Sequence, residues 1–155
     1  MIATRGPTPM NKIVDSGSAV VVRELTDADL GAYKALRDQA LARDEDAFTS
    51  DAATEARRTI DSYRSRLGGG TPDATGRGFT LGAFDGSRLV GALTLERDPR
   101  SKVRHVGHIV GMMVDGPRQR RGIGGALLDA ALERARGDDE LHQITLSVTA
   151  SNASA

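Results

Sequence analysis

The pattern of apolar residues along this chain is of two kinds: some segments have the pattern typical of β-strands, and others have the pattern typical of α-helices. A β-branched run predicts a strand over 19–25, and apolar positions three and four residues apart predict helices over about 27–43 and 54–67. A glycine run ends the second helix. Four shorter runs typical of strands follow, over 79–84, 88–97, 104–114 and 141–148. A last helix lies between the third and fourth of these runs and begins after the glycines near 125.

The order of these predicted elements is β-α-α-β-β-β-α-β, which indicates an α/β domain with a mixed sheet. Asp85-Gly86 lies between two strand runs and predicts a tight hairpin turn. The run over 104–114 is apolar on both faces in its second half, which is typical of a central strand. Residues 1–18 are rich in Gly, Pro and Ser, so we expect a flexible leader there and a single domain over 19–155.

Composition excludes several classes of protein. The 155 residues contain no cysteine, which rules out disulfides, thiolate metal sites and a cysteine nucleophile. The 21 basic residues balance 21 acidic ones, which argues against binding to nucleic acid or to a membrane surface. We find no apolar run that could span a membrane and no secretory signal, and therefore expect a cytoplasmic protein. His105 and His108 fall on opposite faces of a strand, so no metal site is expected.

The segment from 105 to 125 carries the candidate chemistry, because a central strand runs through a glycine- and arginine-rich loop directly into a helix. Glycines at 122, 124 and 125 let the backbone turn sharply and approach a ligand. The first amides of the helix have no acceptors within the helix. Together with the helix dipole, these amides favour the binding of phosphate at the N-terminus of the helix. Three arginines add positive charge: Arg118, Arg120 and Arg121. The segment predicts a pyrophosphate bound where the helix starts.

Two common phosphate motifs do not fit this segment. A P-loop needs Lys and then Ser or Thr after its glycines, and neither is present. A dinucleotide fingerprint needs a third spaced glycine after an early strand, whereas this run is Gly-Ile-Gly-Gly and lies late in the chain. The alternative readings of the segment are a glycine turn without a ligand and an arginine patch for nucleic acid.

The stretch Gln119-Arg120-Arg121-Gly122-Ile123-Gly124 resembles the Q/R-x-x-G-x-G/A signature of the GNAT superfamily of acetyl-coenzyme A-dependent N-acetyltransferases. The preceding 111–115 resembles the strand that lines the pantetheine arm in that family. Residues 148–152 resemble the end of the next strand and its Asn. The order of elements also agrees, so the resemblance covers about 19–155. It implies a GNAT-like acyl-coenzyme A N-acyltransferase fold.

The resemblance also implies acetyl-coenzyme A as co-substrate and a set of residues that bind it. The pantetheine arm would lie between the strands ending near 114 and 148, which a bulge separates, and it would pair with backbone near Met112, Met113 and Val114. A backbone amide near Met113 would stabilise the oxyanion. The pyrophosphate and the remaining polar groups would be held by Gln119, Arg120, Arg121, Gly122, Ile123, Gly124, Gly125 and Asn152.

The same resemblance implies transfer of the acetyl group to a primary amine, of a small molecule or a peptide, by direct attack in a ternary complex. Some members carry a basic Glu six residues before the last Val of the central strand, and this chain has His108 there. Others carry a Glu five residues before the Asn, where this chain has Ser147, which cannot act as a base. Glu96 is a weaker candidate. We therefore expect His108 to be the general base.

The chain departs from the family after Asn152. Members continue into a helix with a Tyr seven residues after the Asn, and that position lies beyond Ala155. We therefore expect a C-terminally incomplete domain that lacks the last helix and strands. An alternative function is a non-catalytic module that binds coenzyme A or a partner. Two such chains could share strands, so a homodimer is plausible.

Overall fold

Six strands form one sheet in chain order, in a computed structural model that describes residues 11–15, 18–43, 52–67, 78–97, 102–103 and 105–147. Neighbouring strands are antiparallel, except that the last two are parallel, so the sheet is mixed as predicted. The strands are β1 (Asn11–Asp15), β2 (Ser18–Glu24), β3 (Phe79–Asp85), β4 (Arg88–Arg97), β5 (Val106–Val114) and β6 (Gln143–Leu146).

Helices cover both faces of this sheet: α1 (Leu30–Arg43), α2 (Ala52–Ala56) and α3 (Ile123–Arg136). Each face has its own core, because the central strands bury side chains on both sides. The core against α3 contains Val22, Leu93, Leu95, Ile109, Ile123 and Leu127. The core against α1 contains Leu30, Tyr33, Tyr63, Phe84, Leu89, Ala92 and Met113. Together with the element order, these two layers confirm the predicted α/β fold class.

Strand β1 lies inside the segment that the sequence assigns to a leader. Asn11–Asp15 pairs with β2, and Ile13 lies opposite Val20. Ile13 and Val14 are the only apolar residues of β1, which is too short a pattern to predict a strand. The backbone pairing with β2 in a hairpin therefore defines this element.

The predicted helix over 54–67 is interrupted. The structure has α2 and then a 3₁₀ segment, Ile60–Leu67. Tyr63 in this segment is fully buried and packs edge-on against Tyr33, with 5.6 Å between the ring centroids. The tighter 3₁₀ winding is poorer in hydrogen-bond geometry, so this tertiary packing maintains it.

The 3₁₀ turn that leads into α1, Asp27–Asp29, depends on one carboxylate. Both terminal nitrogens of Arg23 donate to Asp29, at 2.8 and 2.9 Å, and the Thr26 amide donates to the same carboxylate at 2.8 Å. Asp29 is 8% exposed. The hydrogen bonds from Arg23, followed by that from the Thr26 amide, hold the pKa of Asp29 below its usual value despite the opposing effect of burial.

We expect Asp29→Asn to destabilise the protein by about 2 kcal/mol at pH 7, because a buried charge-assisted pair is lost. Since folding lowers the pKa of Asp29, its stabilisation is complete above the unfolded pKa, about 3.9. This stabilisation is lost as the pH falls from the unfolded pKa through the lower pKa that Asp29 has in the folded protein. Urea unfolding of wild type and variant between pH 7 and 3 should show the difference shrinking below about pH 4. The exposed neighbour Asp27 gives the control Asp27→Asn, and an equal effect there would contradict the assignment.

Candidate functional site

Strand β5 extends past its neighbour on one side. The parallel pairing with β6 runs from Val106 opposite Gln143 to Ile109 opposite Leu146, and β5 continues to Val114. Among the described residues, no strand pairs with 110–114 on the side away from β4. This leaves a gap beside the end of β5, where the resemblance places the pantetheine arm. Within the described residues, the strand predicted over 141–148 covers only Gln143–Leu146. Asn152 lies outside the described residues, as does the rest of 148–155.

A bulge lies in the part of β5 that borders the gap. The register of β4 and β5 shifts between Ala92, opposite Met113, and Thr94, opposite Val110, so β5 has one residue more than β4 there. Gly111 has φ +60°, a left-handed conformation that glycine adopts without steric cost. An extra residue bends the strand and increases its twist. The bulge therefore bends β5 just after the segment that pairs with β6.

The backbone of Val114 faces the gap. Its carbonyl accepts hydrogen bonds from Nη2 of Arg43, at 3.0 Å, and from Nε2 of Gln119, at 3.3 Å. The N–H and C=O of one strand residue point to the same side, so the Val114 amide faces the gap too. The carbonyl of Met113 lies toward β4, 3.3 Å from where a Cβ on Gly91 would be. Because Arg43 and Gln119 already occupy the Val114 carbonyl, the Val114 amide is the group that a ligand in the gap can contact.

The two methionines at the end of β5 have different surroundings. Met113 is 4% exposed and belongs to the core against α1. Met112 packs on the opposite face, where its Cε lies 2.9 Å from the position of a Cβ on Gly124. Gly124 therefore lets α3 approach β5 closely, and any side chain there would displace Met112.

The loop after β5 is fixed by Arg118, at the end of a 3₁₀ turn, Gly116–Arg118. Its guanidinium donates to Asp85 at 2.9 Å and to Asp115 at 3.2 Å. The sequence suggested Arg118 as a phosphate donor, but these two carboxylates make it an anchor between the loop and the β3–β4 hairpin. Arg120 and Arg121 are exposed.

The start of α3 presents unpaired amides to a curved loop. Arg120 and Gly122 have φ +63° and +82°, and Gly122 is the N-cap without any side-chain hydrogen bond. The first hydrogen bond of the helix runs from the Ala126 amide to the Gly122 carbonyl, so the amides of residues 123–125 have no helical acceptor. A Cβ on Gly122 or Gly125 would contact nothing within 4 Å. Such amides and the positive helix end favour an anion.

His108 lies on the face of β5 opposite Ile109, whose side chain is in the core against α3. It therefore shares the α1 side of the sheet with Met113. Its Nδ1 is 2.6 Å from Oγ1 of Thr145 on β6, and Glu96 lies opposite it on β4. His108 and Glu96 are exposed. The two candidate bases thus lie side by side on adjacent strands.

Arg43 and Thr145 belong to this site, although the sequence gave no signal for them. Arg43 is the last residue of α1 and is 71 positions from Val114. Thr145 is 37 positions from His108. Neither belongs to a local motif, so only the register of β5 with β6 and the direction of α1 bring them to the site.

Neither a cluster of metal-binding side chains nor a helix able to span a membrane is found among the described residues. The described residues contain no group of three His, Asp or Glu side chains arranged to hold a metal ion. Within the same part of the chain, each helix is too short or too polar to cross a bilayer.

Several proteins of known structure have a similar fold. The acetyltransferase of GNAT family from Streptococcus pneumoniae is 24% identical, with a TM-score of 0.73 over 86% of this chain and 76% of that one. An aminoglycoside acetyltransferase from an uncultured soil metagenomic sample is 18% identical, with a TM-score of 0.65 over 85% and 81%. PaiA N-acetyltransferase from Thermoplasma acidophilum, in complex with coenzyme A, is 16% identical, with a TM-score of 0.69 over 86% and 82%. At these identities the similarity establishes the fold.

A comparison with curated protein sequences finds no match. The sequence model of the acetyltransferase (GNAT) family matches residues 35–155. The match covers most of the chain and includes the bulged strand, the glycine loop and the start of α3. This protein therefore belongs to the GNAT acetyltransferase family.

Proposed function

We propose that the protein transfers an acetyl group from acetyl-coenzyme A to a primary amine, by direct attack in a ternary complex. One observation carries this proposal: the Val114 backbone faces the gap beside β5, and β5 leads into the unpaired amides of 123–125. An extended arm with amide groups fits beside Val114 as an added strand. A pyrophosphate fits the amides where the arm ends.

The residues around the loop fit the phosphate end of this co-substrate. Gly122 and Gly125 leave open space, so a phosphate can approach the backbone. Exposed Arg120 and Arg121 flank it with positive charge, and Gln119 lies at the entrance of the loop. Ile123 is buried and fixes the helix start against β4, while Gly124 fixes the distance to β5. Asn152 stays a prediction.

The acetyl end would lie along β5 toward His108. Bound acetyl-coenzyme A supplies an activated thioester. We assign the oxyanion contact to the gap-facing amide of Val114, next to Met113. His108 takes a proton from the amine, directly or through water, as the nitrogen–carbon bond forms and the carbon–sulfur bond breaks. The coenzyme leaves as a thiolate that takes up a proton.

The acceptor class rests on the family and on one neighbour. The soil protein of similar fold is an aminoglycoside acetyltransferase, which acts on an amine-bearing small molecule. In this chain the acceptor would approach from the α1 side of the sheet, where His108 lies. A small-molecule or peptide amine fits that position. The cytoplasmic location and a homodimer stay predictions.

The test is calorimetric titration of acetyl-coenzyme A into the full 155-residue chain, followed by thiol-release assays with a panel of amines. Binding together with turnover of an amine supports the proposal. Binding without turnover of any amine would favour the alternative, a non-catalytic coenzyme A module. A folded chain that does not bind acetyl-coenzyme A contradicts both.

A further inference from the structure

Strand β6 contributes a hydroxyl to the candidate base. His108 and Thr145 are partners in the parallel register of β5 and β6, so their side chains project from the same face of the sheet. Oγ1 of Thr145 is 2.6 Å from Nδ1 of His108. The same oxygen is 3.4 Å from the carbonyl oxygen of Gly107, to which it donates. The three groups form a short chain from backbone carbonyl to hydroxyl to imidazole.

The direction of this chain follows from the number of hydrogens. A threonine hydroxyl has one hydrogen and can accept as well as donate. When it donates to the Gly107 carbonyl, which can only accept, Oγ1 has no hydrogen left for the imidazole. The short contact must then be a hydrogen bond from Nδ1–H of His108 to Oγ1. In the neutral ring, the proton is on Nδ1 and the lone pair is on Nε2.

We propose that Thr145 is a positioning residue that holds His108 in the Nδ1–H tautomer and so keeps Nε2 free to accept the proton of the amine. This inference rests on the proposed function, because it assumes that His108 is the base. The hydrogen bond made by one ring nitrogen sets the state of the other. Among the described residues, the charged group that faces His108 from the neighbouring strand is Glu96, its register partner on β4.

The tautomer matters because only one ring nitrogen of His108 is free of the β6 contact. Nδ1 is occupied by Thr145, so the amine or a relaying water can reach the ring at Nε2. If the proton were on Nε2, that nitrogen would donate to the amine instead of accepting from it. The hydroxyl therefore decides whether the ring can act as a base without first exchanging its proton.

The direct test is nitrogen NMR of the imidazole rings in the full chain, above the pH at which they are protonated. The chain has three histidines, and His108→Gln identifies the signals of His108 by their loss. We expect the Nδ1–H pattern in wild type and in Thr145→Ser, which keeps the hydroxyl. In Thr145→Val, which has a similar shape without it, we expect that pattern to be lost. An Nε2–H pattern in wild type, or an unchanged pattern in Thr145→Val, would overturn the proposal.

Kinetics give the second readout. Thr145→Val should lower kcat roughly tenfold, the order expected when one neutral hydrogen bond is lost. Thr145→Ser should restore it, while the KM for acetyl-coenzyme A stays the same in both. A loss of kcat in Thr145→Val that Thr145→Ser does not restore would mean a packing role and would contradict the inference. If wild type turns over no amine, the proposed function fails, and the NMR result still decides the tautomer.

Discussion

Replacing Gly125 with Asp should weaken acetyl-coenzyme A binding by at least about 100-fold, which corresponds to about 3 kcal/mol. A Cβ on Gly125 contacts nothing within 4 Å, so the new side chain enters the open space where the pyrophosphate is proposed. A carboxylate there would lie against the phosphates, and like charges brought together at an interface cost several kcal/mol. Isothermal titration calorimetry of the purified variant measures the change in Kd.

The matched control is Gly125→Asn, which has nearly the same shape without the charge. We expect the Kd for acetyl-coenzyme A to be roughly tenfold lower in the Asn variant than in the Asp variant. This difference in Kd should become smaller at high salt, because salt screens the charge. Both variants should keep the melting temperature of wild type or raise it, since glycine is unfavourable within a helix. Asp has an added advantage in the first turn of α3. Equal binding by Asp, Asn and wild type would contradict a phosphate site at this helix.

His108→Gln should lower kcat by about 100-fold or more, the size typical of losing a general base. Glutamine keeps polarity and length but cannot take up a proton at neutral pH. Because His108 lies on the α1 face and the binding loop begins beyond Val114, the Kd for acetyl-coenzyme A should not change. The measurement combines steady-state kinetics on an amine acceptor with calorimetry on the same preparation.

Two variants make this test specific. Glu96→Gln removes the other candidate base, which lies opposite His108 on β4. His142→Gln removes an exposed histidine immediately before β6. We expect both variants to keep most of the activity. A larger loss of kcat in Glu96→Gln than in His108→Gln would mean that the carboxylate of Glu96, and not His108, is the general base.

Part of the site could be read from the sequence because it is local. The strand–loop–helix unit over 106–136 is one continuous segment, and its glycines mark the places where φ is positive or a helix comes close: Gly111, Gly122 and Gly124. Such constraints act between near neighbours, so their residue types appear at fixed spacing. The hairpin at Asp85-Gly86 was predictable for the same reason, since Gly86 has φ +60°.

Other features were beyond the sequence because their causes are distant in the chain. β1 has too few apolar residues to show a period, and pairing with β2 defines it. Arg118 looked like a phosphate ligand, yet the carboxylates of Asp85 and Asp115 anchor it to the hairpin. The break before Ile60–Leu67 follows from the burial of Tyr63 against Tyr33. In each case tertiary contacts overrode the local pattern.

The sequence by itself determined the order of the elements from β2 onward, the mixed α/β class and the glycine loop that leads into α3, because each depends on hydrophobic period and turn chemistry within a short segment. The tertiary structure alone decided which backbone faces the gap, that Arg43 reaches Val114, and that Thr145 contacts His108. Those contacts depend on strand register and on the bulge at Gly111, and a shift of one residue would turn every side chain to the other face. Register is set by packing across the whole sheet, so no local pattern encodes it.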